Sequence, residues 1–324
     1  MITLSKIAKE ANVSVSTASK AFSGSLEVSE DTRERIFDVA KRYGCFKKFF
    51  NAKYSKYVIA VICPEFNSIH YATYLSCLRR FLEKDGCEVC VAESNFSAEK
   101  EKELLDYYCK HADVDAVIMI QPQLEHYDFH ELPVLSMGKN VFGKDCTAIV
   151  CDSSAALKQS IDYLVANGVC SIGFIGEALT ARKFSSLKNH LSERGLSFQP
   201  DHIQIVKKRF EAGGYEGMAQ ILKSGAPPRA VICAYDDLAI GAIRCIRDHG
   251  LRVPEDIAVM GMDDIPQAPY LVPPLASIAT QTEKRCQLAA DSIIQLLNGQ
   301  PVPPFQVVQA QFQFRESFRV GPAD

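Results

Sequence analysis

The stretch that decides the fold is residues 3–44, TLSKIAKEANVSVSTASKAFSGSLEVSEDTRERIFDVAKRYG. Its apolar residues recur at helical spacing in three short segments. Thr3, Ser14 and Ser29 stand where each helix needs an N-cap hydroxyl, and Gly44 stands where the third helix should end. Two short helices joined by a tight turn and packed by a third can lay one helix in the major groove of DNA. The segment therefore predicts a small all-α helix-turn-helix unit.

Charge is distributed unevenly between this segment and the rest of the chain. Residues 1–56 hold 11 Lys and Arg against 6 Asp and Glu, a net charge of +5. The remaining residues hold 25 against 33, a net charge of −8, which gives the −3 of the whole chain. A basic head on an acidic body suggests that the head meets phosphate and the body does not.

Beyond residue 56 the pattern changes to short apolar runs that alternate with amphipathic helical stretches. The runs, each a candidate buried strand, are YVIAVI (57–62), CEVCVA (87–92), DAVIMI (115–120), LPVLSM (132–137), TAIVC (147–151), SIGFIG (171–176), RAVICA (229–234) and IAVMG (257–261). The predicted helices are Tyr71–Lys84, Glu99–Lys110, Ser154–Asn167 and Leu238–His249. So many strands exceed one sheet. We therefore predict an α/β body of two lobes with parallel, doubly wound sheets.

The sequence gives no sign of secretion, membrane insertion or a metal centre. The first residues carry no apolar run of the signal-peptide kind, and no apolar stretch is long enough to span a bilayer. We therefore expect a cytoplasmic protein without a membrane partner. The twelve cysteines are scattered through apolar runs, and the isolated pair Cys87 and Cys90 has no second pair at zinc spacing. Buried thiols and no bound metal are expected.

Enzyme chemistry is not expected either. The adjacent carboxylates Asp236 and Asp237, like Asp263 and Asp264, would point in opposite directions along an extended stretch and form no dyad. The chain contains no nucleophile elbow and no P-loop. We predict no catalytic residue, no cofactor and no enzymatic activity.

Residues 3–44 resemble the DNA-binding headpiece of the lactose-repressor (LacI/GalR) family. The family's pattern is T-[IL]-x-x-[VI]-A-x-x-A-x-V-S-x-x-T-[VA]-S-[KR], followed by V-S-x-x-T-R-x-[RK]. The chain matches it at Thr3, Leu4, Ile7, Ala8, Ala11, Val13, Ser14, Thr17, Ala18, Ser19, Lys20, Val28, Ser29, Thr32, Arg33 and Arg35. Residues 210–264, 273–281 and 315–317 are similar to the family's second lobe. The resemblance implies a periplasmic-binding-protein-like pair of lobes joined by three crossovers, with a ligand in the cleft.

These observations together predict the domain organisation. A helix-turn-helix headpiece is expected over residues 1–44 and a hinge or linker over 45–56. An effector-binding and dimerisation domain is expected over 57–324. Its first lobe should cover about 57–150 plus 280–305, and its second lobe about 151–279 plus 306–324.

The resemblance places DNA-contacting residues on the headpiece. Val15, Ser16 and Lys20 match the positions with which the family contacts base edges, although the Ser16 hydroxyl could instead face water. Lysine can donate to guanine, serine can bond either way, and valine can touch a thymine methyl. Hydroxyls and helix N-termini that could meet phosphate oxygens lie at Thr3, Ser14, Thr17, Ser19, Ser29 and Thr32.

The linker departs from the family. Residues 45–54, CFKKFFNAKY, lack the Tyr-x-Pro-Asn and Ala-Arg-x-Leu elements and are a few residues short. In the family this segment folds into a hinge helix on DNA and inserts a leucine into the minor groove, a wedge that needs an apolar side chain. Tyr54 falls nearest to the leucine position, with Phe49 and Phe50 as competitors. The alternative is that residues 45–54 serve only as a basic tether.

Effector-binding residues are also implied by the resemblance. Arg182 and Asp263 match the family's cleft arginine and aspartate, which can each hold two oxygens of a polyol, carboxylate or carbonyl ligand. Glu65 and Phe66 fall where the first lobe contacts its ligand, and Tyr235 stands where asparagine is usual.

The effector's identity stays open at this stage. Lys139 replaces part of the usual Asp-Arg-like pair and could meet a phosphorylated or anionic sugar. The chain has no tryptophan to stack on a pyranose. We predict a DNA-binding transcriptional regulator of the repressor kind, a homodimer on palindromic operator DNA, controlled by a small-molecule effector such as a sugar or sugar derivative. The alternatives are a solute-binding sensor without DNA binding and a corepressor-type regulator that responds to a nucleobase or other metabolite.

Overall fold

The computed structural model describes residues 2–50, 57–129, 132–138 and 146–321, with the side chains of residues 47 and 48 excepted. The chain divides into two compact units. The first holds Met1–Tyr57 with Gly86–Glu88, and the second holds the remaining residues. We call the helical residues 2–50 the headpiece, and the sheet-forming part of the chain from Tyr57 onward the body. Within the described ranges, no helix is long and apolar enough to cross a membrane.

The headpiece consists of short helices around a small apolar core. The helices are α1 (Leu4–Glu10), α2 (Val15–Phe22), α3 (Glu30–Arg42) and α4 (Phe46–Phe49). The core is formed by Ile7, Ala8, Ala11, Ala18, Ala21, Phe22, Val28, Ile36, Val39 and Ala40. Small alanines on facing helices let the backbones approach closely, which is why such short helices can bury a common core.

Aromatic rings extend this core beyond the third helix. The Phe37 ring lies 5.4 Å from Phe22, 4.9 Å from Phe46 and 5.2 Å from Phe50, measured between ring centroids. Phe49 lies 5.8 Å from Phe22. Residues 45–50, which we predicted as the start of a linker, therefore continue the headpiece, because burial of the rings outweighs the absence of a helix cap.

The body alternates strands and helices. Its strands are β1 (Tyr57–Cys63), β2 (Cys87–Glu93), β3 (Ala116–Ile120), β4 (Val134–Met137), β5 (Cys146–Asp152), β6 (Ile172–Glu177), β7 (Ile203–Val206), β8 (Ala230–Cys233), β9 (Ala258–Asp263), β10 (Ala276–Ala279), β11 (Phe305–Gln309) and β12 (Gln311–Gln313). Its helices are α5 (Ile69–Lys84), α6 (Ala98–Lys110), α7 (Ser154–Ala166), α8 (Ala181–Ser192), α9 (Phe210–Lys223), α10 (Asp236–Asp248) and α11 (Thr282–Leu297).

These strands form two six-stranded sheets. The first has the order β11-β5-β4-β3-β1-β2, and the second has the order β12-β10-β9-β8-β6-β7. The β10–β12 pair is antiparallel, whereas the pairs between β6 and β10 in the second sheet are parallel. The predicted fold class, a helical headpiece with a two-lobed, mostly parallel α/β body, is confirmed.

The chain crosses between the sheets three times, after β5, after β10 and after β11. We refer to the part around the first sheet as the first lobe and the part around the second sheet as the second lobe. Helix α11 packs on α5 and therefore belongs to the first lobe. The last crossing lies at Ala310, four residues beyond the predicted boundary near 305–306, because β11 pairs with β5 as far as Gln309.

Candidate DNA-binding face and effector cleft

Helix α2 presents an accessible surface at its N-terminal end. The Ser14 Oγ caps the helix and accepts a hydrogen bond from the Thr17 amide at 2.9 Å. Val15 is 47% exposed, and Ser16 and Lys20 are exposed as well. The other side of α2 packs into the headpiece core. The three residues predicted to contact base edges are therefore all exposed on the surface of α2.

Lys20 is paired within the headpiece. Its ammonium group forms an ion pair with Glu27, and the hydrogen bond and charge of Lys20 hold the pKa of the Glu27 carboxyl below its usual value. Both side chains are largely exposed to water, which screens the pair. Lys20 can therefore exchange Glu27 for a base edge at a small cost in free energy.

Most of the predicted phosphate-contacting hydroxyls lie at or near helix N-termini, whereas Ser19 lies in the second half of α2. They belong to Thr3, Ser14, Thr17, Ser19, Ser29 and Thr32. Several of them bond locally: the Thr3 Oγ1 accepts from an amide of the first turn of α1 at 3.4 Å, and the Ser29 Oγ donates to the Thr32 Oγ1 at 2.9 Å. Their contact with phosphate stays a prediction.

Two predicted site residues, Tyr54 and Lys139, lie outside the described residues. The alternative wedge candidates, Phe49 and Phe50, pack against the headpiece core. A ring packed against that core is not available to intercalate between base pairs unless it leaves the core.

The body contains a cleft of about 720 Å³ at the carboxyl ends of strands from both sheets. Glu65 follows β1, Glu177 ends β6, Tyr235 follows β8 and Asp263 ends β9. Parallel α/β sheets collect their ligands at these ends because the loops there converge and the helix N-termini point inward. The predicted residues Glu65, Arg182, Tyr235 and Asp263 all line this cleft.

A hydrogen-bonded ion pair spans the cleft. The Arg209 guanidinium, just before α9 in the second lobe, donates two hydrogen bonds to the Glu65 carboxylate of the first lobe, one of them at 3.0 Å. Its Nε lies 3.1 Å from an oxygen of Glu177 in its own lobe. Burial alone would lower the pKa of Arg209, but the bond to Glu65 and the charge of Glu177 raise it. Phe96 and Phe210 flank the guanidinium at 5.2 and 4.8 Å.

Asp263 lies in a second charged corner of the cleft. The Lys183 Nζ lies 3.1 Å from its Oδ1 and also donates to the Ala234 carbonyl at 2.7 Å. The His70 Nδ1 lies 3.9 Å from the other oxygen. Burial would raise the pKa of Asp263, but the charges of His70 and Lys183 hold it below its usual value. Because burial lowers the pKa of His70, Lys183 is the main cation that faces this carboxylate near neutral pH.

The structure separates the predicted effector residues into two groups. Arg182 lines the cleft with an exposed side chain, and its neighbour Lys183 is the residue that contacts Asp263. Phe66 is 45% exposed and does not line the cleft. Tyr71, Phe96 and Phe210 provide aromatic faces in its place. Binding of an effector by these residues stays a prediction.

The two adjacent aspartates that begin α10 differ in environment. Asp236 is fully buried, accepts hydrogen bonds from the Ser277 hydroxyl at 2.6 Å and the Ile265 amide at 2.8 Å, and so fixes the loop that follows Asp263. Asp237 lines the cleft, and burial, with the charges of nearby carboxylates, raises its pKa to about 6. One aspartate supports the loop beside the cleft, and the other lines the cleft itself.

Several cleft-lining residues hold strained backbone conformations. Phe96, Gln121, Phe210 and Asp263 have φ angles of 55°, 48°, 58° and 105°. Left-handed conformations are unfavourable for residues other than glycine and persist where the surroundings enforce them. Here they turn side chains from strand ends toward the cleft.

Sequence reasoning missed Arg209, Glu177 and Lys183. Arg209 follows β7, IQIV, which was not predicted as a strand because it is short and half exposed. A strand there would have placed Arg209 at the ligand-binding end of the sheet. Glu177 directly follows the predicted strand 171–176, and a polar residue in that position indicates a cleft residue as it does for Asp263. The sequence offered no reason to choose Lys183 over Arg182.

Comparison with known proteins gives matches along the whole chain. Residues 3–44 match the bacterial regulatory proteins of the lacI family, and residues 161–318 match the periplasmic binding protein-like domain. The HTH-type transcriptional regulator AscG of Escherichia coli (strain K12) is 27% identical over 337 residues, which cover 98% of each chain.

Solved structures agree on the fold. The lac repressor dimer bound to operator and an anti-inducer superimposes with a TM-score of 0.73 at 22% identity, covering 98% of each chain. The complex of the transcriptional regulator CelR with cellobiose has a TM-score of 0.69 at 23% identity and covers 98% of this chain and all of that one.

Proposed function

Because this chain belongs to the LacI family of bacterial regulatory proteins, we propose that it represses transcription from a palindromic operator under the control of a small-molecule effector. The observation that carries the proposal is the capped helix α2 with Val15, Ser16 and Lys20 exposed on its surface. This arrangement fits entry into a major groove, where a serine, a lysine and an aliphatic side chain can contact different base edges.

The cleft supports control by a ligand. Its volume of about 720 Å³ suits a small metabolite, and its carboxylates and cations suit a polyol such as a sugar or sugar derivative. The CelR structure contains cellobiose, which supports a carbohydrate as the effector of this chain.

The proposed mechanism is a change in lobe closure. A ligand held by both lobes favours the closed arrangement, and in a homodimer this movement would change the spacing of the two headpieces on DNA. The effector acts only through its different affinities for the two arrangements, a coupling of typically ~1–3 kcal/mol.

Selection of binding sites from random DNA tests the regulator. The full chain should enrich two inverted half-sites, and Lys20→Ala should change the preferred base in each half-site. Lys223→Ala, which removes the same charge from an exposed position of the body, is the matched control and should enrich the wild-type site. The proposal fails if the wild type enriches no sequence.

A thermal-shift screen of sugars, sugar phosphates and nucleobases tests the effector class. Arg182→Ala should leave operator binding intact and abolish the response to any stabilising compound. If this variant responded to the compound like the wild type, Arg182 would not be part of the effector site.

A further inference from the structure

Arg285 is a buried cation without a counter-ion. It lies on α11, is 2% exposed and lines the cleft. One of its Nη atoms donates to the Tyr74 hydroxyl, and the guanidinium lies 5.2 Å from the centroid of the same ring. Its Nε has no hydrogen-bond partner. Among the described residues, no carboxylate lies within the ion-pair distance of 4.0 Å.

This arrangement is unfavourable for a buried cation. An arginine keeps its charge in proteins, so burial cannot be relieved by loss of a proton. A buried charge is stabilised when an opposite charge and hydrogen bonds satisfy it, and Tyr74 supplies neither a charge nor a bond to Nε.

The surroundings of Arg285 carry excess positive charge. The charge of Arg285 acts on the Asp263 carboxylate, which already contacts Lys183 at 3.1 Å. Two permanent cations thus share one carboxylate. On the other side of the cleft, Glu65 and Glu177 share Arg209, which leaves an excess of negative charge there.

We propose that the effector carries an anionic oxygen group, a carboxylate or a phosphate, that enters this corner as the counter-ion of Arg285. The proposal rests on the proposed function, since it assigns the chemical class of the ligand in that same cleft. A guanidinium presents parallel N–H donors that match two oxygens of such a group, and Lys183 adds a second charge. The acidic side of the cleft suits hydroxyl groups, which donate to carboxylates. An acidic sugar has both features.

The test measures thermal unfolding of the full chain in sodium chloride, sodium acetate and sodium phosphate at equal ionic strength. Acetate and phosphate probe the two anionic groups without a sugar scaffold. At least one of them should raise the unfolding temperature of the wild type above its value in chloride. Arg285→Met should lose this shift, and Arg285→Lys, which keeps the charge, should retain part of it. Arg244→Met, at an exposed position, is the matched control and should respond like the wild type.

Each outcome decides the proposal. Equal shifts in the wild type and Arg285→Met, or no shift in the wild type, would overturn it. A large fall in the unfolding temperature of Arg285→Met in chloride would make Arg285 a structural residue, because removal of an uncompensated charge should not destabilise the empty protein. D-glucuronate and D-glucose 6-phosphate, each compared with D-glucose, then separate carboxylate from phosphate.

Operator selection by the wild type distinguishes failure of the anion proposal from failure of the proposed function. A chain that selects an operator without an Arg285-dependent anion response refutes only the anionic effector. A chain that shows the response but selects no DNA refutes the regulator and leaves the anion site standing.

Discussion

Substitution of Glu65 should open the cleft of the body. In Glu65→Gln the charged bonds to Arg209 are replaced by a neutral one, and the pair between the lobes weakens. The Glu65 side chain is 8% exposed, but Arg209 is 31% exposed and keeps Glu177. At an effective dielectric constant of about 20 the gross attraction of such a pair is roughly 5 kcal/mol. Desolvation and solvent screening offset most of it, and we expect a net loss of about 1–2 kcal/mol.

That loss sets the size of the conformational effect. A change of 1.4 kcal/mol corresponds to a tenfold change in an equilibrium constant, so the ratio of open to closed molecules should rise by about tenfold. Small-angle X-ray scattering of the full chain should then give a larger radius of gyration for Glu65→Gln than for the wild type.

Glu177→Gln is the matched control, since Glu177 pairs with the same arginine from within the second lobe. Both variants should lower the urea midpoint of unfolding to a similar degree, but only Glu65→Gln should increase the radius of gyration. An unchanged scattering curve for Glu65→Gln, or equal expansion in both variants, would refute the assignment of the Glu65–Arg209 pair as a bond that holds the lobes together.

Three further substitutions test other parts of the structure. The native state raises the pKa of Asp237 from the ordinary aspartate value of 3.8 to about 6, so the wild type loses stability as the pH rises through this range. Asp237→Asn should therefore gain roughly 3 kcal/mol relative to the wild type between those limits. An equal difference between the two proteins at pH 4 and pH 7 in urea titrations would contradict the shift. In Gly214→Ala the new Cβ would lie 1.9 Å from the Leu238 carbonyl oxygen, so α9 must move away from α10. The substitution should lower the free energy of unfolding by at least about 3 kcal/mol. Gly321→Ala, whose Cβ would meet nothing within 4 Å, should leave it unchanged in the same unfolding assay. Phe37→Ala removes the ring at the centre of the aromatic cluster and should destabilise the headpiece by about 2–4 kcal/mol. Operator binding should fall, while anion-dependent stabilisation of the body persists. Full operator affinity in this variant would contradict the role of the ring in packing the headpiece.

The sequence by itself determined the classes of structure. Helical periodicity and cap residues specify α1 to α3 because a short helix is controlled by local hydrogen bonds and one apolar stripe. The buried strands β1, β3, β5, β6, β8 and β9 were visible as continuous apolar runs because both of their faces are covered. Strands β7, β10, β11 and β12 were not predicted. Strands β7, β11 and β12 lie at the edges of their sheets, where half-exposed side chains break the apolar pattern. Strand β10 is buried, but its four residues, ASIA, include a serine and are too short to stand out as an apolar run.

Some residues of the cleft could likewise be predicted from the sequence, and others could not. Residues directly after predicted strands, such as Glu65 and Asp263, could be assigned to a cleft, because strand ends converge in any parallel α/β fold. The pairing of Arg209 with Glu65 could not be assigned, since the two residues are 144 positions apart and meet only when the lobes approach.

The helix-turn-helix pattern of residues 3–44 can be recognised from the sequence alone, and it identifies the chain as a LacI-family regulator. Tertiary structure alone decided that residues 45–50 join the headpiece core and that Arg285 lies buried in the cleft with no carboxylate of the described residues at ion-pair distance. The physical reason is that periodicity records which face of an element is buried, whereas partners and unpaired charges depend on how separate elements pack.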